Sequence, residues 1–499
     1  MNPLSITTIG LVALATVVVG VFGLRISRTT SDFYVASRTV KPWWNASAIG
    51  GEYLSAASYL GVAGLILLSG PDGLWYPVGY TAGYLMLLLF VAAPLRRSGA
   101  YTIPDFAEFR LASQSVRKVT SCCVILICWL YLVPQLQGAA LTVSITAGLP
   151  SWLGPLIVIS VVCVVVMTGG MRSITFVQAF QFWLKFTALA VPTVFLLIVL
   201  MGNPQSPEQA ADAFQMASIQ GASSPLRTIS LMIGLLFGTL GLPHVLVRFY
   251  TNPDGHSARR TTLIVLPLLC LFYLLPTTLG TLGRMHPTGG KADATVLLLP
   301  SQLLPGPVGQ ALTALVIAGA FAAFLSCSSG LLVSLAGVVS QDLFGGSVRG
   351  FRLAAGIGSL VPLAVSLFAD SSALASSIGA VFAFTASTLC PLLLLGIWWR
   401  GLTDVGAIVG IAVGAVLCGG ALLFGGLFAI GVSPSAGVVA DLLAQPAIVT
   451  VPAAFLAMIV VSKLTPHRLH SSVAKILARL HTPESLKAAE LSRSRPSTR

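Results

Sequence analysis

Uncharged apolar stretches of about 18 residues or more recur from one end of this chain to the other, and no other feature limits its fold so sharply. Representative parts read TIGLVALATVVVGVFGL (8–24), LIVISVVCVVVMTGG (156–170) and ISLMIGLLFGTL (229–240). A bilayer offers no partner to a bare N–H or C=O, so a segment that crosses it is a helix or a strand of a closed barrel. These runs are apolar on every side and lack the alternation of a barrel strand. The chain therefore reads as an all-α, polytopic membrane protein. Composition agrees: 56% of the 499 residues are hydrophobic and 9% are charged, against about 25% charged in a soluble domain.

Thirteen spans are expected, at about 4–24, 43–68, 74–94, 119–147, 152–171, 175–201, 229–249, 261–283, 307–340, 353–369, 372–399, 405–428 and 446–463. An odd count puts the termini on opposite sides. With the N-terminus outside, 24 of the 28 Lys and Arg residues fall in cytoplasmic loops or the C-terminal tail, Arg248 among them. Outside lie Arg227, Arg284 and Lys291, and Lys185 falls within a span. Positive residues stay on the cytoplasmic side, so the net charge of +13 needs no nucleic acid to explain it. The expected location is the plasma membrane, where the basic tail can lie against anionic headgroups. The first apolar run lacks a basic leader and a small-x-small cleavage pattern and is kept as a helix. Residues 1–463 are thus one transmembrane domain. The loop 202–228 is expected outside. The tail, 464–499, holds a short amphipathic helix in SSVAKILARL (471–480) and an end expected to be disordered. The eight cysteines form no CxxC pair or Cys/His ligand spacing and read as packing residues. Trp43, Trp44, Trp75 and Trp152 suit the interfacial aromatic belts.

Two spans carry more than a membrane anchor needs. One begins WWNASAIGGEYLSAASYLGVAGLILLSG (43–70), and the other contains GLLFGTLGLPHVLVRF (234–249). Pro243 cannot donate a backbone hydrogen bond and clashes with the preceding turn. With Gly238 and Gly241 it lets the helix open at His244, and Arg248, one turn on, is expected at the cytoplasmic surface. With the first span set aside, these two begin successive groups of five, spans 2–6 and 7–11, at about 43–201 and 229–399. Five is odd, so the groups enter the membrane in opposite senses. Interrupted helices at matching positions of two inverted halves mark a secondary transporter.

At this point the residues resemble a known family. SDFYVASR (31–38), GGMRSITFVQ (169–178) and VVSQDLF (338–344) resemble the sodium/solute symporter family over nearly the whole chain to about residue 460. GEYLSAASYLGVAGLILLSGPDGLWY (51–76), GAYTIPDFAEFRL (99–111) and GLPHVLVRFYT (241–251) resemble its cation–acetate symporter branch. The resemblance implies a five-plus-five inverted-repeat (LeuT-type) core in helices 2–11. It also implies uptake of acetate or a similar short-chain monocarboxylate with Na⁺ or H⁺. The family's sodium site maps onto Gly51, Leu54, Ala323, Ser326 and Cys327, where a thiol replaces a second hydroxyl unless Ser328 or Ser329 reaches in. A thiol is a poor ligand for a hard cation. An acidic residue that many relatives carry corresponds to Thr175.

Three ionisable residues of the spans need explaining: Glu52, Lys185 and His244. A charge at bilayer depth costs at least about 2.5–3.5 kcal/mol on insertion scales, so each is a functional candidate. Lys185 lies ten residues into its span, too deep to snorkel easily. Its ammonium could take the place of a bound cation or exchange a proton. Together with the changes at Cys327 and Thr175, it points to transport driven by a proton gradient or membrane potential. Glu52 could equally bond loop amides near a boundary, and His244 could bond the carbonyls freed at Pro243. Tyr53, Ser55, Ser58 and Thr239 could hydrogen-bond a carboxylate, or serve helix packing. The alternatives are a symporter for a longer or hydroxylated acid, a channel and a membrane sensor. No filter repeat supports a channel, and the tail is short for a signalling domain. No nucleophile–base or metal constellation suggests an enzyme, and no motif asks for a cofactor beyond a transported Na⁺.

Overall fold

The computed structural model describes residues 3–22, 30–202, 224–286, 291–368, 374–431 and 437–484, and the regular structure among them is entirely helical. The first helices in chain order are α1 (Pro3–Phe22), α2 (Thr30–Val35), α3 (Pro42–Tyr53), α4 (Val62–Ser69), α5 (Trp75–Phe90), α6 (Ala92–Ser98), α7 (Ile103–Leu111), α8 (Gln114–Thr142) and α9 (Leu153–Gly202). There follow α10 (Pro225–Gly241), α11 (Pro243–Val247), α12 (Gly255–Met285), α13 (Thr295–Leu303), α14 (Pro307–Leu343), α15 (Val348–Phe368) and α16 (Leu374–Trp398). The last are α17 (Asp404–Gly431), α18 (Val438–Ala444), α19 (Ala447–Leu464) and α20 (Val473–His481).

Eleven stretches among the described residues are long and apolar enough to cross a membrane. The difference from thirteen has a physical cause, because two of the eleven each hold parts of two expected spans, at 57–90 and 153–201. A straight helix the length of α9, which has 50 residues, would run about 75 Å, more than twice a hydrocarbon core of about 30 Å. It bends at Gly170, where φ is 55°. A Cβ there would stand 2.6 Å from the Cα of Phe33, so both the conformation and the contact require glycine.

Burial sorts the helices into a centre and a rim. The most apolar window of α14 is wholly buried, against α9, α8 and α15. Helix α10 packs between α16 and α5, and α17 pairs with α19 at one side. α1 lies on α9 and turns Leu11, Leu14 and Phe22 outward, as a lipid-facing helix does. Trp43, Trp44, Trp75 and Trp152 are exposed, and all eight cysteines are free thiols.

One end of the bundle is basic and tightly tied. Arg117 joins Asp105 at 2.9 Å, Glu108 at 2.6 Å and Asp342 at 2.7 Å. Arg110, fully buried, donates to the carbonyls of Gly396 and Trp399 at the end of α16. The tail's helix α20 docks here through buried Val473, Leu477 and Leu480. Glu484 follows it and accepts from the Gly255 amide at 2.9 Å, at the start of α12. The expected outer loop and disordered end lie largely outside the described residues, at 203–223 and 485–499.

Candidate functional site

Both glycine-rich segments are broken helices, as the sequence leads one to expect, with the second break two residues before His244. α3 ends at Tyr53, Leu54 leaves helical geometry (φ −76°, ψ 84°), and the chain resumes through a widened turn at Ala57–Gly61 before α4. The second break is at Leu242 (φ −65°, ψ 114°), between α10 and the proline that opens α11. Buried backbone groups released in this way need partners, and side chains from α8, α9 and α14 supply them.

The carbonyls of Gly51 and Leu54 accept hydrogen bonds from the Lys185 ammonium at 2.6 and 2.7 Å. Lys185 Nζ also donates to Ser326 Oγ at 2.9 Å, and that hydroxyl lies within bonding distance of the Gly51 and Ala323 carbonyls. Gly51, Leu54, Ser326 and Lys185 therefore converge on one point, fully buried at Lys185 and Ser326. Ala323 reaches it through Ser326 alone. Cys327 is buried beside Lys185 and Tyr131, but its sulfur is not among the atoms that hold the ammonium. Ser329 bonds the Leu325 carbonyl of its own helix, and Ser328 Oγ has no partner among the described residues.

Arg248 is not at the surface, contrary to the sequence expectation; it is completely buried. Its Nε donates to Glu52 Oε2 at 2.6 Å, its Nη1 to Thr175 Oγ1 at 2.9 Å, and its Nη2 to Gln178 Oε1. Glu52 is 1% exposed, so this is an ion pair inside the protein; Arg248, and not loop amides, holds Oε2, while Oε1 has no partner among the described residues. A buried carboxylate demands such a partner. Gln178 Nε2 donates in turn to the Ser326 carbonyl at 2.7 Å, which ties the ion pair to the lysine cage. Gly330 gives Glu52 its room, since a Cβ at that glycine would run into the carboxylate.

A second cluster lies between the two breaks. Gln135 of α8 accepts from the freed Ala56 amide at 2.9 Å, which leaves its Nε2 unpartnered among the described residues. His244 is fully buried, stands edge-on to Tyr131 at 5.0 Å between ring centres, and both its nitrogens are likewise unpartnered. It does not bond the carbonyls near Pro243. Tyr53 donates to the Tyr80 carbonyl at 2.9 Å with Thr239 Oγ1 at 3.3 Å, and Thr239 bonds the Leu235 carbonyl. Ser58 bonds the Tyr273 hydroxyl at 2.9 Å, and Ser55 lies by Tyr131. The hydroxyls of Tyr80 and Tyr84 are buried without partners among the described residues. Phe382 closes the ring against Tyr80 and Tyr131. The sequence reading took Arg248 for a surface residue and missed Gln178, Gln135, Tyr80 and Tyr131; Gln178 closes the quoted stretch GGMRSITFVQ, but a neutral side chain in it is not marked off from packing residues, and Gln135 and Tyr131 of α8 lie in no quoted motif.

At the end away from the basic face, a cleft of about 740 Å³ is lined by Leu65, Asp72, Trp75, Tyr76, Arg227 and Asp441, among others. Tyr76, on its wall, meets Tyr80 of the aromatic cluster at 6.2 Å.

The model of the sodium:solute symporter family matches residues 33–414. The chain is 30% identical over 440 residues to a monocarboxylic acid transporter of Corynebacterium glutamicum, covering 79% of each. It is 31% identical over 426 residues to the uncharacterized symporter YwcA of Bacillus subtilis, covering 80% of this chain and 82% of that protein. Among solved structures it resembles a Na⁺-coupled sialic acid symporter in its substrate-bound outward-open state. There the TM-score is 0.75 at 16% identity, over 93% of this chain and 98% of that one. MHP1, a nucleobase-cation-symport-1 family transporter captured closed with bromovinylhydantoin, gives a TM-score of 0.56 at 14% identity, over 90% and 98%. These likenesses establish the fold, the LeuT-type five-plus-five helix core.

Proposed function

Since this chain belongs to the sodium:solute symporter family, a family of cation-coupled membrane transporters, we propose that it takes up acetate or a similar short-chain monocarboxylate across the plasma membrane. The observation that carries this reading is the set of unpartnered polar atoms between the two helix breaks. The Gln135 amide, one N–H of the His244 ring and the Tyr80 and Tyr84 hydroxyls are buried donors with no partner among the described residues. A buried polar atom without a partner costs about 1–3 kcal/mol, which a carboxylate arriving as acceptor would recover. Tyr131, Phe382 and Tyr273 pack around these donors, so the site suits a small anion with a short apolar body. The name of the corynebacterial relative supports the same class. The five-plus-five arrangement supports taking 43–201 and 229–399 as the two inverted repeats.

The excess of Arg and Lys at one end supports a cytoplasmic assignment for that end and for the C-terminal tail, with the N-terminus outside. The cleft at Tyr76 is then the outer entrance. The deciding experiment is uptake of labelled acetate into vesicles, with Na⁺ and pH gradients imposed separately. Saturable accumulation is expected under one gradient, with competition by other short monocarboxylates and none by dicarboxylates or sugars. Absence of accumulation under both gradients refutes the substrate class.

A further inference from the structure

We propose that the ε-ammonium of Lys185 is a tethered cation that stands where a symporter of this fold holds a transported metal ion, so that the chain binds no sodium at the break of α3. This deepens the transport reading above and rests on it only for the uptake measurement below. Carbonyls exposed by an unwound membrane helix are the usual place for a coupling cation. Here the Gly51 and Leu54 carbonyls, with Ser326 Oγ, form such an oxygen cage from α3 and α14, and its centre is filled from α9 by Lys185 Nζ at 2.6, 2.7 and 2.9 Å. A second monovalent cation using the same oxygens would be in contact with the first.

Charge balance leads to the same conclusion. The groups facing the cage are Glu52 from α3, Cys327 from α14 and, through Gln178, Arg248 beyond α11. Glu52 is committed to Arg248 at 2.6 Å. The buried network therefore holds two cationic side chains and one carboxylate, and a sodium ion would add a third positive charge where water cannot screen it. Thr175, whose hydroxyl accepts from Arg248 at 2.9 Å, supplies no further negative charge. The lysine also performs the structural work of an ion at this point. It holds the two released carbonyls of α3 against α9 and α14 permanently, with no concentration dependence.

The test measures sodium binding directly, on purified full-length protein. Wild type should bind no radioactive sodium saturably, and its melting temperature should be the same in sodium and in choline chloride. Lys185→Ala empties the cage of its built-in cation. That variant should gain saturable sodium binding and an upward, sodium-dependent shift in melting temperature, since a ligand bound only by the folded state stabilises it. Lys185→Ala/Cys327→Ser, which adds a hydroxyl beside the cage, should bind sodium more tightly still. Saturable sodium binding by wild type overturns the proposal even if every variant fails to fold. So does a folded Lys185→Ala/Cys327→Ser protein that binds none. Binding needs no organic substrate, so an error in the monocarboxylate assignment would leave these results unchanged. It would show only as absent acetate uptake. Where acetate is taken up, wild-type uptake should be unaffected when sodium is replaced by choline.

Discussion

Removing the Glu52 carboxylate while leaving Arg248 in place should be among the most damaging single changes to this protein. The two side chains are 1% and 0% exposed and 2.6 Å apart. At an effective dielectric constant near 20, two unit charges about 4 Å apart attract by roughly 4 kcal/mol. Breaking a buried pair from one side costs about 3–5 kcal/mol, because the surviving charge is left uncompensated. Glu52→Gln keeps the shape and one acceptor but not the charge, so about 3 kcal/mol is expected. Arg248→Met should cost about as much, since it also orphans the Gln178 and Thr175 oxygens that the guanidinium serves. The double variant Glu52→Leu/Arg248→Met removes both charges. Apolar replacement of a whole buried pair is often neutral or stabilising, so only the cost of the two orphaned oxygens, about 1–3 kcal/mol each, should remain. Thermal melts followed by size-exclusion elution of the three variants and wild type measure this. Each single should melt well below wild type, and the double well above the sum of the two losses. Additive losses, or a Glu52→Gln protein that melts with wild type, would refute the ion pair.

Three further outcomes follow from the same geometry. Gln135→Leu and His244→Leu should each raise the KM for acetate by about tenfold, the effect of losing one hydrogen bond to a charged group, while membrane insertion is preserved; an unchanged KM in both would remove these residues from the solute site. Asp293, at the end opposite the basic face, accepts from the Leu374 amide at 2.9 Å, and its burial pushes its carboxyl above the usual range, with the Leu374 and Lys291 contacts opposing. A folded-state value above the unfolded one of about 3.9 means that its stabilisation is present below that pH and is lost as pH rises through the folded value. Asp293→Asn keeps the acceptor and should melt at or above wild type at pH 7, with the advantage gone near pH 4. An equal loss at pH 7 in Asp293→Asn and Asp293→Ala would show that the charge itself is needed. Leu480→Asp places a carboxylate in a fully buried position of α20 and should undock the tail helix, seen as new protease cleavage between 470 and 484. An unchanged digestion pattern would mean that the docked helix does not depend on its apolar face.

Hydropathy and glycine–proline punctuation made the spans and both helix breaks legible, because each reflects a rule that holds along a single segment. The span count depends on where an apolar run breaks: 153–201 is one such run, yet the backbone leaves helical geometry at Gly170, a point that hydropathy alone does not locate. The site was legible where one residue type is costly wherever it lies. Lys185 is conspicuous in an apolar helix before any neighbour is known, and the family resemblance named three of the oxygens that surround it. Gln135, Gln178 and Tyr131 are neutral, and neutral polar residues serve packing as readily as function until three helices are seen together. Arg248 was hidden for a different reason. The positive-inside rule assigns an arginine near the end of a span to the surface, but α10 and α11 stop short and the chain turns inward through Arg248–Thr251, with Asn45 and Thr251 bonding the Arg248 carbonyl. One sequence-level argument could have recovered it. Glu52 lies in a broken helix at bilayer depth, where an unpaired carboxylate is prohibitive, and few cations were available to answer it. Lys185 was already required by the released carbonyls. That leaves the next basic residue along the second broken helix, six positions after its break at Leu242, as the partner that the charge of Glu52 demands.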